Sequence, residues 1–538
     1  MSVAFPGTVD ALILVQLLFR PLRDRLLVLC ACRWMKRRLH NDWDKLIRYL
    51  NHGPIAIEVG VLCVSQVSES GLVKQHCRFL IAYIQIRSIH NYMSLSRNKY
   101  DMPLLAFKSV LVLIIFLVGG VFAHKHWQPF KFLVEGYQAS NTLIKEQMQV
   151  RPELLRRHRY GGDGVTIYNP DKAYSGVTAL QGLLPGGAQI RLVDMSGNEI
   201  HRWLINYFEI WPNPTHLEEK YQPKSDFNYH THGMVIFPDG SIVFNVSNIG
   251  AAKLSKCGKV EWTLDRATHH SITLTEDGSF WIPGNRAIRN IPEYLMFPGV
   301  TRELLESDPE AEFNRYENII LLVDEYGEVQ REISVLQSLY DGGFESQIFD
   351  MMQIEPTDPT HINDIEVVTQ ELADKVPGVS KGDILVSIRQ MHMLAFFDPV
   401  TGVIKKHFVG PWVRQHDPDI SPNGNLVVFN NGRKGFHFNR IEGSNLVEFD
   451  PETGNTHIIY PIEGQQSFYT EIVGNHQLLG NGNRLIAESL AGRVIEVTHQ
   501  GEIVWEYVIP YDETHASLIE TAQRLDSDYF TFENWNCE

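Results

Sequence analysis

Six times between residues 192 and 507 the chain repeats one short pattern: an apolar strand, a turn that ends in glycine, and a second strand. The copies read LVDMSGNEIHRW, KLSKCGKVEW, LLVDEYGEVQREI, FFDPVTGVIKKHF, VEFDPETGNTHII and IEVTHQGEIVWEY. Their turn glycines are Gly197, Gly258, Gly327, Gly402, Gly454 and Gly501, spaced by 61, 69, 75, 52 and 47 residues. Glycine supplies the positive φ that a tight hairpin demands. Repeats of this length fit the outer hairpin of a four-stranded blade, and six of them predict an all-β, six-bladed β-propeller over residues 151–538.

A second pattern supplies the inner strands: HGMVIFPDGSIVFN, HSITLTEDGSFWI, HDPDISPNGNLVVFN and NHQLLGNGNRLIAES, each turning at an Asp-Gly or Asn-Gly pair. A ring of blades needs a closing device. The segment TAQRLDSDYFTF (521–532) reads as an inner strand pair with no outer hairpin, and the hairpin at Gly197 has no clear inner pair, so the C-terminus is expected to complete the first blade. The stretch 284–316 is long enough to form a lid or packing loop.

Charge divides the chain. Residues 1–103 carry 14 Lys/Arg against 7 Asp/Glu, and since the whole chain has a net charge of −16 the remainder carries about −23. So acidic a main domain argues against nucleic acid, whose binding needs a basic footprint. Between the two parts lies LLAFKSVLVLIIFLVGGVFA (104–123), the length needed to cross about 30 Å of hydrocarbon, with Lys108 able to snorkel. A buried core helix is the bland alternative. The run Lys36-Arg37-Arg38, with Arg87, Arg97 and Lys99, puts the N-terminus in the cytoplasm by the positive-inside rule. The expected order is therefore a basic, mainly helical cytoplasmic extension (1–103), a transmembrane helix (104–123), a helical stalk (124–150) and an extracytoplasmic, periplasmic propeller in the inner membrane. Of the six cysteines only Cys257 and Cys537 follow the span; pairing and two free thiols are both open.

Inner strands line the central channel, so residues at their starts converge on one mouth. His232, His270 and His416 each precede their turn glycine by eight residues, and the intervening blade begins His361-Ile362-Asn363-Asp364, with Arg389 ending GDILVSIR. A single strand-start histidine is usually a cap or a packing residue; four at one position with a guanidinium make an anion site. A metal is disfavoured there, because a permanent guanidinium charge repels a cation and grips an oxyanion through its fork of donors. His269 is expected on the other side of its strand by alternation, and Asp417 in a turn role.

Five motifs in order on this repeat, HHS (269–271), HINDIE (361–366), SIR (387–389), QHDPDISPNGN (415–425) and FYTEIVGNHQLLGNGNRLI (468–486), make residues 165–538 resemble the bacterial arylsulfate sulfotransferases. That family's six-bladed propellers move a sulfuryl group from an aryl sulfate to a phenolic acceptor, without cofactor or nucleotide donor, in ping-pong fashion through a sulfated histidine. The resemblance implies His416 as nucleophile, His270, His361 and Arg389 as holders of the sulfate oxygens, and Asn363 and Thr470 as further substrate-binding positions; its place at a strand start adds His232 to these. The chain departs from the family's usual form in its N-terminal extension and membrane anchor, and in Ser271, where an acid is common. The rival reading is a membrane-tethered propeller that binds a protein or cell-envelope ligand without catalysis, which predicts scattered histidines. A quinone-cofactor dehydrogenase would need eight blades with repeated Trp motifs, which the sequence lacks.

Overall fold

The computed structural model describes residues 57–63, 80–86 and 151–538, apart from 288–294, 297–300, 302, 304–315, 356–357, 433–442 and 538. Two compact units divide the chain, Met1–Tyr137 and Gln138–Glu538. In the first, strands Ile57–Cys63 and Leu80–Ile86 pair antiparallel, with Ile57 opposite Ile86. This corrects the expectation of helices at these two places: IEVGVLC and LIAYIQI are rich in β-branched residues, which suit a pleated strand better than a helix. The predicted membrane span 104–123, the stalk 124–150 and most of the 284–316 insertion lie outside the described residues. Among the described residues no helix is long and apolar enough to cross a membrane.

The second unit is the six-bladed propeller, each blade an antiparallel sheet. From the innermost strand outward, blade 2 runs Thr231–Ile236, Ile242–Val246, Gly250–Leu254, Val260–Leu264. Blade 3 runs Thr273–Leu274, Phe280–Ala287, Tyr316–Val323, Val329–Ser334. Blade 4 is Ile362–Val367, Ile384–Ile388, Met393–Phe397, Ile404–Val409, and blade 5 is His416–Ile420, Leu426–Asn430, Asn445–Phe449, Thr456–Tyr460. Blade 6 has His476–Leu478, Arg484–Glu488, Arg493–Val497 and Ile503–Val508, with Gly164–Tyr168 added at its outer edge. Middle strands such as ILVSI (384–388) and MLAFF (393–397) are buried at every residue, because neighbouring blades cover both faces, whereas the outermost IKKHFV keeps exposed positions. Leu385, Phe396, Leu426, Val428 and Phe449 form one such layer between blades 4 and 5. Each such side chain contributes about 1.5–3 kcal/mol on burial.

Ring closure differs in detail from expectation. Blade 1 takes only one C-terminal strand, Leu518–Leu525, which pairs with Val177–Leu184; Gly187–Val193 and Glu199–Leu204 complete it. The second inner strand, VTALQGLL, escapes the sequence pattern because its innermost partner comes from the other end of the chain, so no Asp-Gly turn joins the two. Residues after 525 run onto blade 2 instead. There the Tyr529 hydroxyl donates to the Ile236 carbonyl, the Thr531 N–H donates to the Pro238 carbonyl at 2.9 Å, and the Lys256 ammonium sits 4.5 Å from the Phe532 ring centre. Cys537 pairs with Cys257 on the outer hairpin turn of blade 2, Cα atoms 5.5 Å apart, closing 280 residues of chain.

Candidate active site

At the start of the innermost strands the register slips: between Thr231 and Met234, Ile362 and Asp364, His416 and Pro418, and Ile519 and Thr521. Such bulges re-aim side chains that a regular pleat would send to alternate faces. Beside them His270 (φ 56°), His361 (φ 46°) and Asp417 (φ 47°) occupy the left-handed region, a strain of about 1–3 kcal/mol each that concentrates at functional sites. The sequence brings these residues to one mouth; the bulges turn them toward one another.

His270 is the hub. Its ring stacks on His232 with centroids 4.3 Å apart, meets His361 edge-on at 5.1 Å, and lies 6.0 Å from His416. His269 does not turn away: the regular strand begins only at Thr273, so alternation does not apply, and its Nδ1 lies 2.8 Å from that of His270. Burial, with the neighbouring imidazoles adding to it, pushes His232 and His269 down to about 3 and holds His270 well below its ordinary value. His416 is likewise held well below, by burial first and then by the charge of Arg389. His232, His269, His270 and His416 therefore stand neutral at pH 7.

Hydrogen bonds assign their tautomers. Asn431 donates from its amide nitrogen to the carbonyls of Thr470 (3.0 Å) and Val473 (2.6 Å), which turns its oxygen toward His416 Nδ1 at 2.6 Å. Nδ1 must then carry the proton, and Nε2 keeps a bare lone pair. In His232 the pattern reverses: Nδ1 accepts the His270 N–H at 3.0 Å, so Nε2 bears the proton and lies 3.3 Å from Glu520 Oε2. Glu520 is buried with neither oxygen in a well-aligned hydrogen bond, and burial pushes its carboxyl up to about 7 against the opposing influence of His230. His361 Nδ1 is paired with Asp358; burial raises that carboxyl, but the pairing outweighs it and holds Asp358 below its ordinary value.

Arg389 sits in a short turn, Arg389–Met391, whose backbone N–H bonds the His361 carbonyl at 3.2 Å. It is buried, its Nε has no hydrogen-bond partner, and among the described residues no carboxylate forms an ion pair with it. Burial, then the nearby Arg414, lowers it to about 10, so it remains charged. Asn363 donates to the Gln415 carbonyl at 2.7 Å, bracing the backbone before His416, and keeps its buried oxygen free. Thr470 stands apart from the other candidates: its hydroxyl donates to the Ile472 carbonyl at 2.6 Å, and it serves the site through the carbonyl that orients Asn431. Asp417 accepts the His476 N–H at 2.5 Å across to blade 6, a tie between blades. Sequence reasoning missed Asn431, Glu520 and Asp358. The repeat gave no direct signal for Asn431: HGMVIFPDGSIVFN and HDPDISPNGNLVVFN end in the buried Asn245 and Asn430, and Asn431 is the residue after the second of these.

A propeller whose mouth holds neutral imidazoles around one unpaired, buried guanidinium is built to receive an anion and to present it with a nucleophilic nitrogen. The family model described as Arylsulfotransferase (ASST) matches residues 233–509, a little over half of the chain, and the chain belongs to that family. No curated protein matches it. Among solved structures, a protein of unknown function from Bacteroides caccae is 13% identical, with a TM-score of 0.40 over 65% of this chain and 98% of that one. Virginiamycin B lyase from Staphylococcus aureus is 12% identical, with a TM-score of 0.30 over 51% and 69% of the two chains. The Pan2 WD40 domain of Neurospora crassa is 11% identical, with a TM-score of 0.32 over 63% and 83%.

Proposed function

We propose that this arylsulfotransferase-family propeller transfers a sulfuryl group from an aryl sulfate to a phenol in two displacements through His416. The observation that carries the reading is the His416 tautomer: Asn431 holds the Nδ1 proton, which leaves Nε2 as the one nucleophilic atom of a ring kept neutral by burial and by Arg389. In the first step Nε2 attacks sulfur, an N–S bond forms, and the S–O(aryl) bond breaks with its electron pair to the departing phenolate. His416 becomes a cationic N-sulfated imidazolium whose charge Asn431 Oδ1 stabilises. Arg389, its charge uncommitted to any carboxylate, binds the peripheral oxygens, where charge collects, with His270 and His361 lining the same mouth. His361, its Nδ1–H paired with the anionic Asp358, enters as the imidazolium, gives its Nε2 proton to the phenolate and later takes one from the acceptor. In the second step the acceptor oxygen attacks sulfur and the N–S electrons return to Nε2.

The binding-module reading needs scattered histidines; their rings at 4.3–6.0 Å favour catalysis. The disulfide between Cys257 and Cys537 supports an oxidising, extracytoplasmic compartment for the propeller, with residues 104–123 as its single-pass anchor. The test incubates the full-length chain with 4-nitrophenyl sulfate and a phenol acceptor, then maps sulfation. An acid-labile sulfate on the peptide holding His416, absent in His416→Ala, is expected. An H416A protein with wild-type turnover overturns the mechanism.

A further inference from the structure

The channel beneath the candidate active site holds a second chemical cluster, with no part in the sulfuryl chemistry. Along the inner strand of blade 5, Asp417 and Asp419 follow His416; facing them is His476, the first residue of the inner strand of blade 6. One ligating atom from each of these three side chains lies within 4.8 Å of the others. Carboxylates alone say little, but His476 adds an independent fact. It is 3% exposed, and its Nε2 faces the Val427 carbonyl at 3.2 Å, which can only accept. Nε2 therefore carries a proton, and Nδ1 faces the carboxylates with no hydrogen-bond partner. The nearest oxygen, Asp419 Oδ2, is 3.0 Å away and off the axis of a hydrogen bond. Two lone pairs at this distance repel unless something positive lies between them.

The spacing suits a metal ion. Bonds of about 2.1 Å to nitrogen and oxygen at a right angle leave the two donors about 3.0 Å apart. Asp417 uses Oδ2 to accept the His476 N–H, which orients its other oxygen without consuming it. Asp364 and Glu366 of blade 4 lie beside the site, burial holding both carboxyls above their ordinary range, and Asp364 Oδ2 is also buried without a partner. Arg484 is the cation that acts on Asp419.

We propose that Asp417, Asp419 and His476 bind a divalent cation in the channel, joining blades 5 and 6 directly below the nucleophile. Two carboxylates and an imidazole suit Mn2+ or Zn2+ better than Mg2+. The site is separate from the histidine cluster, where Arg389 disfavours a cation.

The test uses the full-length chain, stripped with chelator and dialysed against Mn2+, Zn2+ or Ca2+, with retained metal counted by elemental analysis and melting followed in parallel. The expected result is about one equivalent of Mn2+ or Zn2+ retained, and a melting temperature about 3 °C higher at a hundredfold excess over Kd. Asp419→Asn and His476→Gln are each expected to weaken binding at least about tenfold, the range seen when a ligand is lost. Failure of all three ions to bind wild type overturns the proposal, as does equal binding by D419N and H476Q; in the first case His476 is a protonated partner of Asp419. Neither readout depends on turnover, so the result stands apart from the fate of the sulfuryl-transfer mechanism.

Discussion

Asn431 is the residue on which the His416 mechanism can be tested most sharply, because its role is confined to one proton. Replacing it with alanine removes the oxygen that holds His416 Nδ1–H at 2.6 Å. A hydrogen bond to a group that becomes charged during reaction contributes about 1.5–3 kcal/mol, and at about 1.4 kcal/mol per decade this predicts a first half-reaction slowed about 10- to 150-fold. The same change strands the Val473 carbonyl, which loses its donor at 2.6 Å, while the Thr470 carbonyl keeps the Ser444 hydroxyl at 3.2 Å. A buried unsatisfied group costs about 1–3 kcal/mol, so the variant should also melt a few degrees lower. The assay is single-turnover release of 4-nitrophenol from 4-nitrophenyl sulfate, which isolates attack by His416 from the acceptor step, run well below the melting temperature. The loss should sit in the rate at saturating donor and not in the half-saturating concentration. An N431A chain that is folded and reacts within about threefold of wild type refutes the assigned tautomer.

Three further outcomes follow from the same geometry. Arg389→Met should lower transfer about 10²- to 10³-fold while its melting temperature stays level or rises, because the guanidinium is buried without an ion-pair partner; a large loss of stability refutes the reading of Arg389 as an uncommitted charge. Glu520 keeps its proton to about pH 7 in the folded chain against an ordinary 4.5, so between those values folding binds a proton and stability falls as pH rises; Glu520→Gln should gain a few degrees over wild type between pH 5 and 8, and a pH-independent difference contradicts the assignment. Cys537→Ser should melt about 3–6 °C lower with near-wild-type turnover, since the bridge closes 280 residues far from the histidines, and an unchanged melt shows that the tail is held by Tyr529 and Thr531 alone.

The repeated hairpin made the number of blades legible, since six Gly turns need six sheets to receive them. The histidines were legible for the same reason: equivalent positions in a ring must converge. What the repeat could not carry was anything that breaks it. His269 was assigned to the far face by strand alternation, yet no regular strand exists before Thr273. Glu520 lies in the closing strand, whose sequence shares no turn motif with the other inner strands, and it became visible only when Leu518–Leu525 was seen to pair with Val177–Leu184. Asp358 precedes its strand in an irregular segment and acts through a side-chain contact with His361. The helical expectation for residues 57–63 and 80–86 failed because short apolar runs carry no period long enough to tell helix from strand.

The closing strand has a consequence for how activity arises during synthesis. Leu518–Leu525 both seals the ring and delivers Glu520 to the His230 and His232 pair. A chain grown past His416 but short of Leu518 already contains His416, Arg389 and the other imidazoles, yet has an open ring at blade 1 and no carboxylate beside His232. The mouth is thus completed by a strand made after all of its imidazoles, and a chain stopped between His416 and Leu518 carries the nucleophile without the enclosure that aligns it.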